Sequence, residues 1–362
     1  MDPIQNIPQP DKDERPQADL SEGFWQKYRP VIITAALVLV AMIGGALTLF
    51  VLGSQPSARK NSYTSTPRTS ISPTNTTSPS VAPQQTVAAS DSWKSSVNSK
   101  ALPLGDGKVS SVPKAGYVDS CMTNFRGGGA RHAGSWINDA AGTWNSDSKV
   151  AVQGSIDWPS AQYSVVTSGA SRIITTDDLP QNDPTGTFPI SYSDPAYQYD
   201  TNPNRIQGQT VTLTLPLAPT AATTPYCVDL GYIGVMNNGV LLFNALDDAG
   251  RDAVAHETQD KCDGHPDGKE RYHYHDVASC VRNRATGSST LVGYALDGYG
   301  IYVERDSEGN LPTNADLDVC HGRTSEVLWN GKKTSIYHYD ATLEYPYTIG
   351  CFHGKPVSIH RP

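Results

Sequence analysis

The chain has no cysteine in its first 120 residues, and it has no Cys-x-x-Cys, no Gly-x-Ser-x-Gly and no His-Glu-x-x-His. Each absence closes a class. Without Cys-x-x-Cys there is neither a dithiol redox motif nor a cysteine zinc knuckle. Without Gly-x-Ser-x-Gly there is no nucleophile elbow of an α/β-hydrolase. His256-Glu257-Thr258-Gln259-Asp260 begins like a zinc-protease helix but lacks the second histidine, so that reading fails too. No apolar heptad is sustained, which excludes a coiled coil or long bundle. Basic residues are few: 28 Lys and Arg stand against 36 Asp and Glu, a formal net charge of −8. Phosphate neutralisation needs clustered cations, so nucleic acid is excluded as a partner.

What is present divides the 362 residues into four regions. Residues 1–30 are polar and read as a short disordered tail. Residues 31–53 carry no charge and are almost wholly apolar. A bilayer core takes roughly 20 helical residues, and a signal h-region is shorter, so this is a transmembrane helix. Residues 54–100 hold 20 Ser or Thr and five Pro, a composition that buries no core and reads as a tether spanning roughly 35–40 Å. Residues 101–362 form the folded part, with 19 basic and 29 acidic residues. All six cysteines follow the apolar span. An even count on one side fits an oxidising exterior. Lys27 and Arg29 sit just before the span, as the positive-inside rule prefers. The expectation is a single-pass protein of the cell membrane, N-terminus in the cytoplasm and C-terminal domain outside.

The exterior part reads as mainly β. Val150–Ile156, Ser164–Val166, Arg172–Thr175 and Thr210–Leu215 alternate or cluster β-branched residues between turns. Asn238-Gly239 and Asp297-Gly298 each separate two apolar runs, a hairpin signal. Helix is scarce; Asp247–Glu257 predicts one or two turns.

The two hairpins belong to an internal repeat. At an offset of 59, Gly234 matches Gly293, Asn238-Gly239 matches Asp297-Gly298, and Phe243, Asp247 and Gly250 match Tyr302, Asp306 and Gly309. At an offset of 58, Cys262-x-Gly264 matches Cys320-x-Gly322. Tyr272-His273-Tyr274-His275 then matches Tyr337-His338-Tyr339-Asp340, and Cys280 matches Cys351. The expectation is two similar β units about a pseudo-twofold axis. If each unit closes itself, Cys262 pairs with Cys280 and Cys320 with Cys351, leaving Cys121 for Cys227. Cross-unit pairing is the alternative.

Residues 231–354 resemble the YHYH domain family, named for the motif at Tyr272–His275. The runs Gly234–Glu257, Cys262–His275, Gly293–Tyr302 and Tyr345–Cys351 carry the resemblance, which extends more weakly upstream to about residue 115. It implies no settled biochemical activity, since the family's name describes only a sequence. The second motif ends in Asp340 rather than His, which puts a fully duplicated histidine site in doubt.

In a strand, His273 and His275 point to one face and Tyr272 and Tyr274 to the other. Two imidazoles so placed can converge on one ion. His338 and Asp340 have the same relation, so facing strands would gather three imidazoles and a carboxylate. That donor set suits zinc, copper or iron. His265 is a further ligand; His256 and His321 are more distant candidates. Five of the nine histidines fall in the two matched segments, which favours a metal site over the bland alternative of hydrogen-bonded packing. The acidic turns at Asp247–Gly250 and Asp306–Gly309 lack the ligand spacing of a calcium loop. The expected function is transition-metal binding, as capture or as metal-assisted hydrolysis with a carboxylate such as Glu257 as base. Nothing in the sequence separates the two or decides whether the protein is an enzyme. The alternative is a cell-surface adhesion module for a small molecule, glycan or protein, with structural histidines; Trp136, Trp144 and Trp158 would offer a sugar-binding surface or core packing.

Overall fold

The computed structural model describes residues 93–358. Its centre is an eight-stranded sheet built from β1 (Tyr232–Met236), β2 (Leu241–Phe243), β3 (Gly264–Pro266), β4 (Tyr272–Tyr274), β5 (Ser289–Ala295), β6 (Gly300–Glu304), β7 (Gly322–Trp329) and β8 (Lys332–Asp340). The spatial order is β3-β4-β2-β1-β5-β6-β8-β7. Read from either edge, the sequence of equivalent strands is the same, so the repeat is a structural pseudo-twofold.

The axis can be placed to a residue. β1 and β5 are antiparallel, with Gly234 opposite Ala295, Val235 opposite Tyr294 and Met236 opposite Gly293. At the repeat offset, Val235 and Tyr294 are equivalent to each other, so the axis passes between them. A Cβ on Gly234 would lie 2.7 Å from the Tyr294 carbonyl oxygen, and one on Gly293 would lie 2.7 Å from that of Val235. The matched glycines permit the close central pairing. β1 and β6 are buried along their whole length. A sheet covered on both faces reads as continuous apolar runs, as β1 does, and as β6 does up to its last residue, Glu304.

Within each unit the last two strands are tied by tyrosine. Tyr272 donates to Asp260 at 2.8 Å, and Tyr274 accepts from Asn238 at 3.0 Å. In the second unit Tyr337 donates to Asp318 at 3.0 Å and Tyr339 to Asp297 at 2.6 Å. These partners are equivalent under the repeat. The Tyr272 ring lies where a Cβ on Gly264 would stand, 2.2 Å away, and Tyr337 does the same to Gly322 at 2.4 Å. The Cys-x-Gly segments need glycine because a ring packs against the bare backbone. Disulfides join Cys262 to Cys280, Cys320 to Cys351 and Cys121 to Cys227.

A three-stranded antiparallel sheet (Tyr163–Ser168, Ser171–Thr176, Val211–Pro216) packs on the central one. Its Arg172 is buried, with the guanidinium over the Tyr294 ring at 4.1 Å and the Trp329 ring at 4.7 Å.

Several expectations are corrected. Val150–Ile156 is not a strand; it makes isolated bridges, Val152 to Asp260 and Ile156 to Thr185, and Gly154 breaks it at φ +119°. The folded part begins earlier than residue 101: Lys94 pairs with Asn310, and Trp93 and Val97 pack on the core. Among the described residues α-helix is limited to α1 (Ala253–His256), inside the segment expected to turn, and α2 (Ser279–Arg284), for which the sequence gives no signal. Trp136 and Trp144, by contrast, are buried in the core, as the packing alternative expected. The acidic turns use their carboxylates on backbone: Asp247 accepts from Ala249 and Arg251, and Asp306 from Glu308 and Asn310. Among the described residues no helix is long and apolar enough to cross a membrane. The expected tail, the span at 31–53 and most of the tether lie outside the described residues.

Candidate metal centre

β3 and β4 are antiparallel, with His265 directly opposite His273. His275 follows on the same side of β4 by the two-residue period. The three imidazoles meet at their Nε2 atoms: His273 to His275 is 3.1 Å and His265 to His275 is 3.4 Å. Glu257, at the C-terminal end of α1, brings Oε2 to 3.0 Å from His275 Nε2 and 3.2 Å from His265 Nε2. All four residues are buried.

The outer nitrogens decide the tautomers. His275 Nδ1 lies 2.5 Å from the Asn244 carbonyl oxygen, and His273 Nδ1 lies 3.1 Å from that of Arg271. A carbonyl only accepts, so both Nδ1 atoms carry the hydrogen and donate it. The Nε2 lone pairs then point inward, the arrangement that orients histidine ligands. Two lone pairs 3.1 Å apart repel unless a cation lies between them. Glu257 Oε2 is buried and close to two imidazoles, yet it makes no aligned hydrogen bond. Atoms bound at about 2.0–2.1 Å to one tetrahedral ion lie about 3.4 Å apart. The His275 spacings of 3.1 and 3.4 Å to the other two imidazoles approach this value, and the three histidines form one compact donor group with Glu257 beside His265 and His275.

Electrostatics agree with this geometry. Burial pushes the Glu257 carboxyl up, but the adjacent His265 and His275 imidazoles hold it well below the usual range. Burial, with the positive charges of His265 and His275, drives His273 well down. Burial lowers His275 as well, but the neighbouring Glu257 carboxylate raises it overall. The centre lines a cavity of about 520 Å³, whose wall includes Phe243, Asp248 and Arg271. Phe243 stacks on the His273 ring at 3.9 Å.

The expected union of His273 and His275 with His338 and Asp340 does not form. Four strands separate β4 from β8, roughly 24 Å at about 4.8 Å per step. The pseudo-twofold places the two motifs on opposite halves of the sheet instead of facing them together. His338 and Asp340 lie in a second buried group with Glu304.

The strand positions of the second group are equivalent to those of the first with two histidines replaced, while its carboxylate, Glu304, comes from β6 and has no equivalent in Glu257. Arg323 lies opposite His338 as His265 lies opposite His273, and Asp340 stands where His275 does. His338 keeps the same anchor, Nδ1 to the Ile336 carbonyl oxygen at 3.0 Å. The Arg323 guanidinium reaches Glu304 at 2.6 Å and Asp340 at 3.0 Å. Guanidinium has no lone pair to offer a metal; it is itself the cation of this centre. Burial pushes Glu304 up, but hydrogen bonding and charge from His338, with the charge of Arg323, bring it down to about 2. Burial raises Asp340 to about 7.

The more distant candidates lie elsewhere. His256 Nε2 is 2.9 Å from Asp106. His321 Nε2 is 3.1 Å from the Thr342 hydroxyl, and burial lowers its pKa to about 3. Neither joins a cluster. Two residues of these groups stand out only in the structure: the sequence gives Glu257 no place beside the histidines, and Arg323 belongs to no motif. Arg323 had a signal, since Cys262-Asp263-Gly264-His265 aligns with Cys320-His321-Gly322-Arg323.

Residues 212–313 match the model of the family described as YHYH protein, so the chain carries a YHYH domain. No curated protein and no solved structure matches the chain.

Proposed function

We propose that this YHYH-domain protein holds one transition-metal ion per chain through His265, His273, His275 and Glu257, on the exterior of a membrane to which residues 31–53 anchor it. The observation that carries this reading is the convergence of three buried Nε2 atoms, His275 lying 3.1 Å from His273 and 3.4 Å from His265, with the Glu257 carboxylate 3.0 Å from His275 and 3.2 Å from His265. Three imidazoles and a carboxylate suit zinc first, and copper or iron next. Four ligands fill a tetrahedral ion, so the role is to capture and hold the metal. Three disulfides support an oxidising compartment.

A second reading, metal-assisted hydrolysis, is favoured by the cavity of about 520 Å³ beside the centre. There Glu257 would act as base and leave one coordination position open. Glu257→Gln separates the two: a ligand role weakens metal affinity at least tenfold, whereas a base role leaves affinity unchanged. The reading as a whole is tested by elemental analysis of protein purified without chelator or nickel resin. One equivalent of metal in the wild type, lost in a folded His273→Ala, His275→Ala variant, supports it. A metal-free wild type after reconstitution overturns it.

A further inference from the structure

The three-stranded sheet leaves one edge open. Tyr163–Ser168 pairs only with Ser171–Thr176, whose other side is taken by Val211–Pro216. The hairpin fixes where the backbone groups of that edge point. Gly169-Ala170 is a two-residue turn with Gly169 at φ +58°, and the residues flanking such a turn form a hydrogen-bonded pair. Such pairs alternate along an antiparallel ladder, so Ser168, Val166 and Ser164 turn their backbone groups inward to the neighbouring strand. The Asp177 N–H donates to the Gln162 carbonyl oxygen at 3.1 Å, which continues the same alternation one step past the strand. The N–H and C=O groups of Tyr163, Val165 and Thr167 therefore point away from the sheet, and among the described residues nothing pairs with them.

Natural sheets blunt such an edge with charge, proline, a bulge or a covering segment. Among the described residues this strand has none of these. It reads Tyr-Ser-Val-Val-Thr-Ser, and its register runs without a shift. Val165 and Val166, on opposite faces, are 39% and 55% exposed. The outer face continues uncharged across the sheet through Ser164, Val166, Ile173, Thr175, Thr212 and Thr214. From residue 101 onward the chain carries 29 acidic and 19 basic side chains, so two copies repel overall, and least along this edge.

We propose that this strand is an interface between two copies of the chain, joining their three-stranded sheets edge to edge. The strand is its own complement. A twofold axis normal to the sheet makes the pairing antiparallel and keeps matched side chains on one face. With the axis at Val165, Val165 meets Val165 of the partner subunit and Tyr163 meets Thr167 of the partner subunit. Every outward N–H and C=O is then paired. Moving the axis by one residue leaves one of the three outward residues without a strand partner. This proposal does not rest on the metal centre.

The test is sedimentation of the full chain in detergent, over a concentration series into the high micromolar range. A monomer–dimer equilibrium is expected. Val165→Pro, which removes an N–H that points only to the interface, should weaken it at least tenfold. Val165→Lys sets like charges opposite each other, should do the same, and serves alone if the proline variant does not fold. Val112→Lys, at another exposed apolar position, should leave association unchanged. Single added cysteines test the register, since all six native ones are in disulfides. Under mild oxidation Val165→Cys should cross-link two chains, because Cα atoms of a hydrogen-bonded pair lie about 5.5 Å apart, within disulfide reach. Val166→Cys should not, although Val166 is the more exposed, because that residue and its copy are diagonal neighbours about 8 Å apart. The proposal is overturned if the full chain is monomeric throughout, or if association survives in the folded Val165 variants. It is also overturned if Val112→Lys abolishes association, or if Val166→Cys cross-links as readily as Val165→Cys.

Discussion

Arg323→His together with Asp340→His gives the second centre the three imidazoles of the first, here beside Glu304, a carboxylate supplied by β6 instead of by the segment after α1. In a His273→Ala background this isolates the new site. The guanidinium contacts Glu304 at 2.6 Å and Asp340 at 3.0 Å, and those carboxylate side chains are 8% and 0% exposed against 33% for the arginine. Removing the arginine alone would leave two buried carboxylates, a loss of about 3 kcal/mol, the lower end for a buried pair because the guanidinium is partly in water. Replacing Asp340 as well removes one of those charges, so the double change costs less than Arg323→Ala. Metal then adds stability. At free zinc 100 times the dissociation constant the gain is about 2.7 kcal/mol. At about 2–4 °C per kcal/mol for a domain of this size, the melting temperature rises by roughly 5–10 °C. Differential scanning fluorimetry with and without zinc measures this, and elemental analysis counts the ion. The reasoning is refuted if the folded triple variant gains neither shift nor metal. It is equally refuted if His273→Ala alone already shows a zinc-dependent shift, because the natural second centre would then bind.

Glu304, held at about 2 against an ordinary 4.5, makes a pH prediction away from the first centre. A depressed carboxylate contributes stability above its unfolded pKa and loses it as pH falls through the folded one. Wild-type stability should therefore fall by about 1–2 kcal/mol between pH 4.5 and 2 on this group's account, after allowance for solvent screening; urea titrations of Glu304→Gln should show a flatter profile there from a lower plateau. Cys262→Ser with Cys280→Ser opens a loop with a sequence separation of 18 and should cost about 3 kcal/mol in chemical denaturation. An unchanged midpoint would remove the stabilising role. Gly264→Ala places a methyl group 2.2 Å from the Tyr272 ring and should destabilise by about 2 kcal/mol or more. Gly268→Ala, with open space around it, should stay within about 0.5 kcal/mol.

The repeat was legible because it is written in residues that local geometry requires. Asn238-Gly239 and Asp297-Gly298 make equivalent turns, and Gly264 and Gly322 make room for equivalent tyrosine rings. The alternation that sends His273 and His275 to one face is also a local property of strands. The position of the two motifs across the sheet is not local. It depends on β1 meeting β5 at the axis, and that pairing keeps His338 away from His273 instead of against it. Glu257 was illegible as a ligand because it lies just past α1, outside any strand period, and only tertiary packing turns it inward. Val150–Ile156 misled because its β-branched residues outweighed Gly154, whose φ of +119° breaks the extended run. Trp93 and Lys94 lay in polar sequence, and only their contacts with the core place them in the fold.

The most direct test of the central claim is anomalous diffraction from crystals of zinc-loaded protein, measured across the zinc edge. The account predicts one peak per chain, among His265, His273, His275 and Glu257, and none between His338 and Arg323. A peak at the second centre, or no peak at the first, would contradict it.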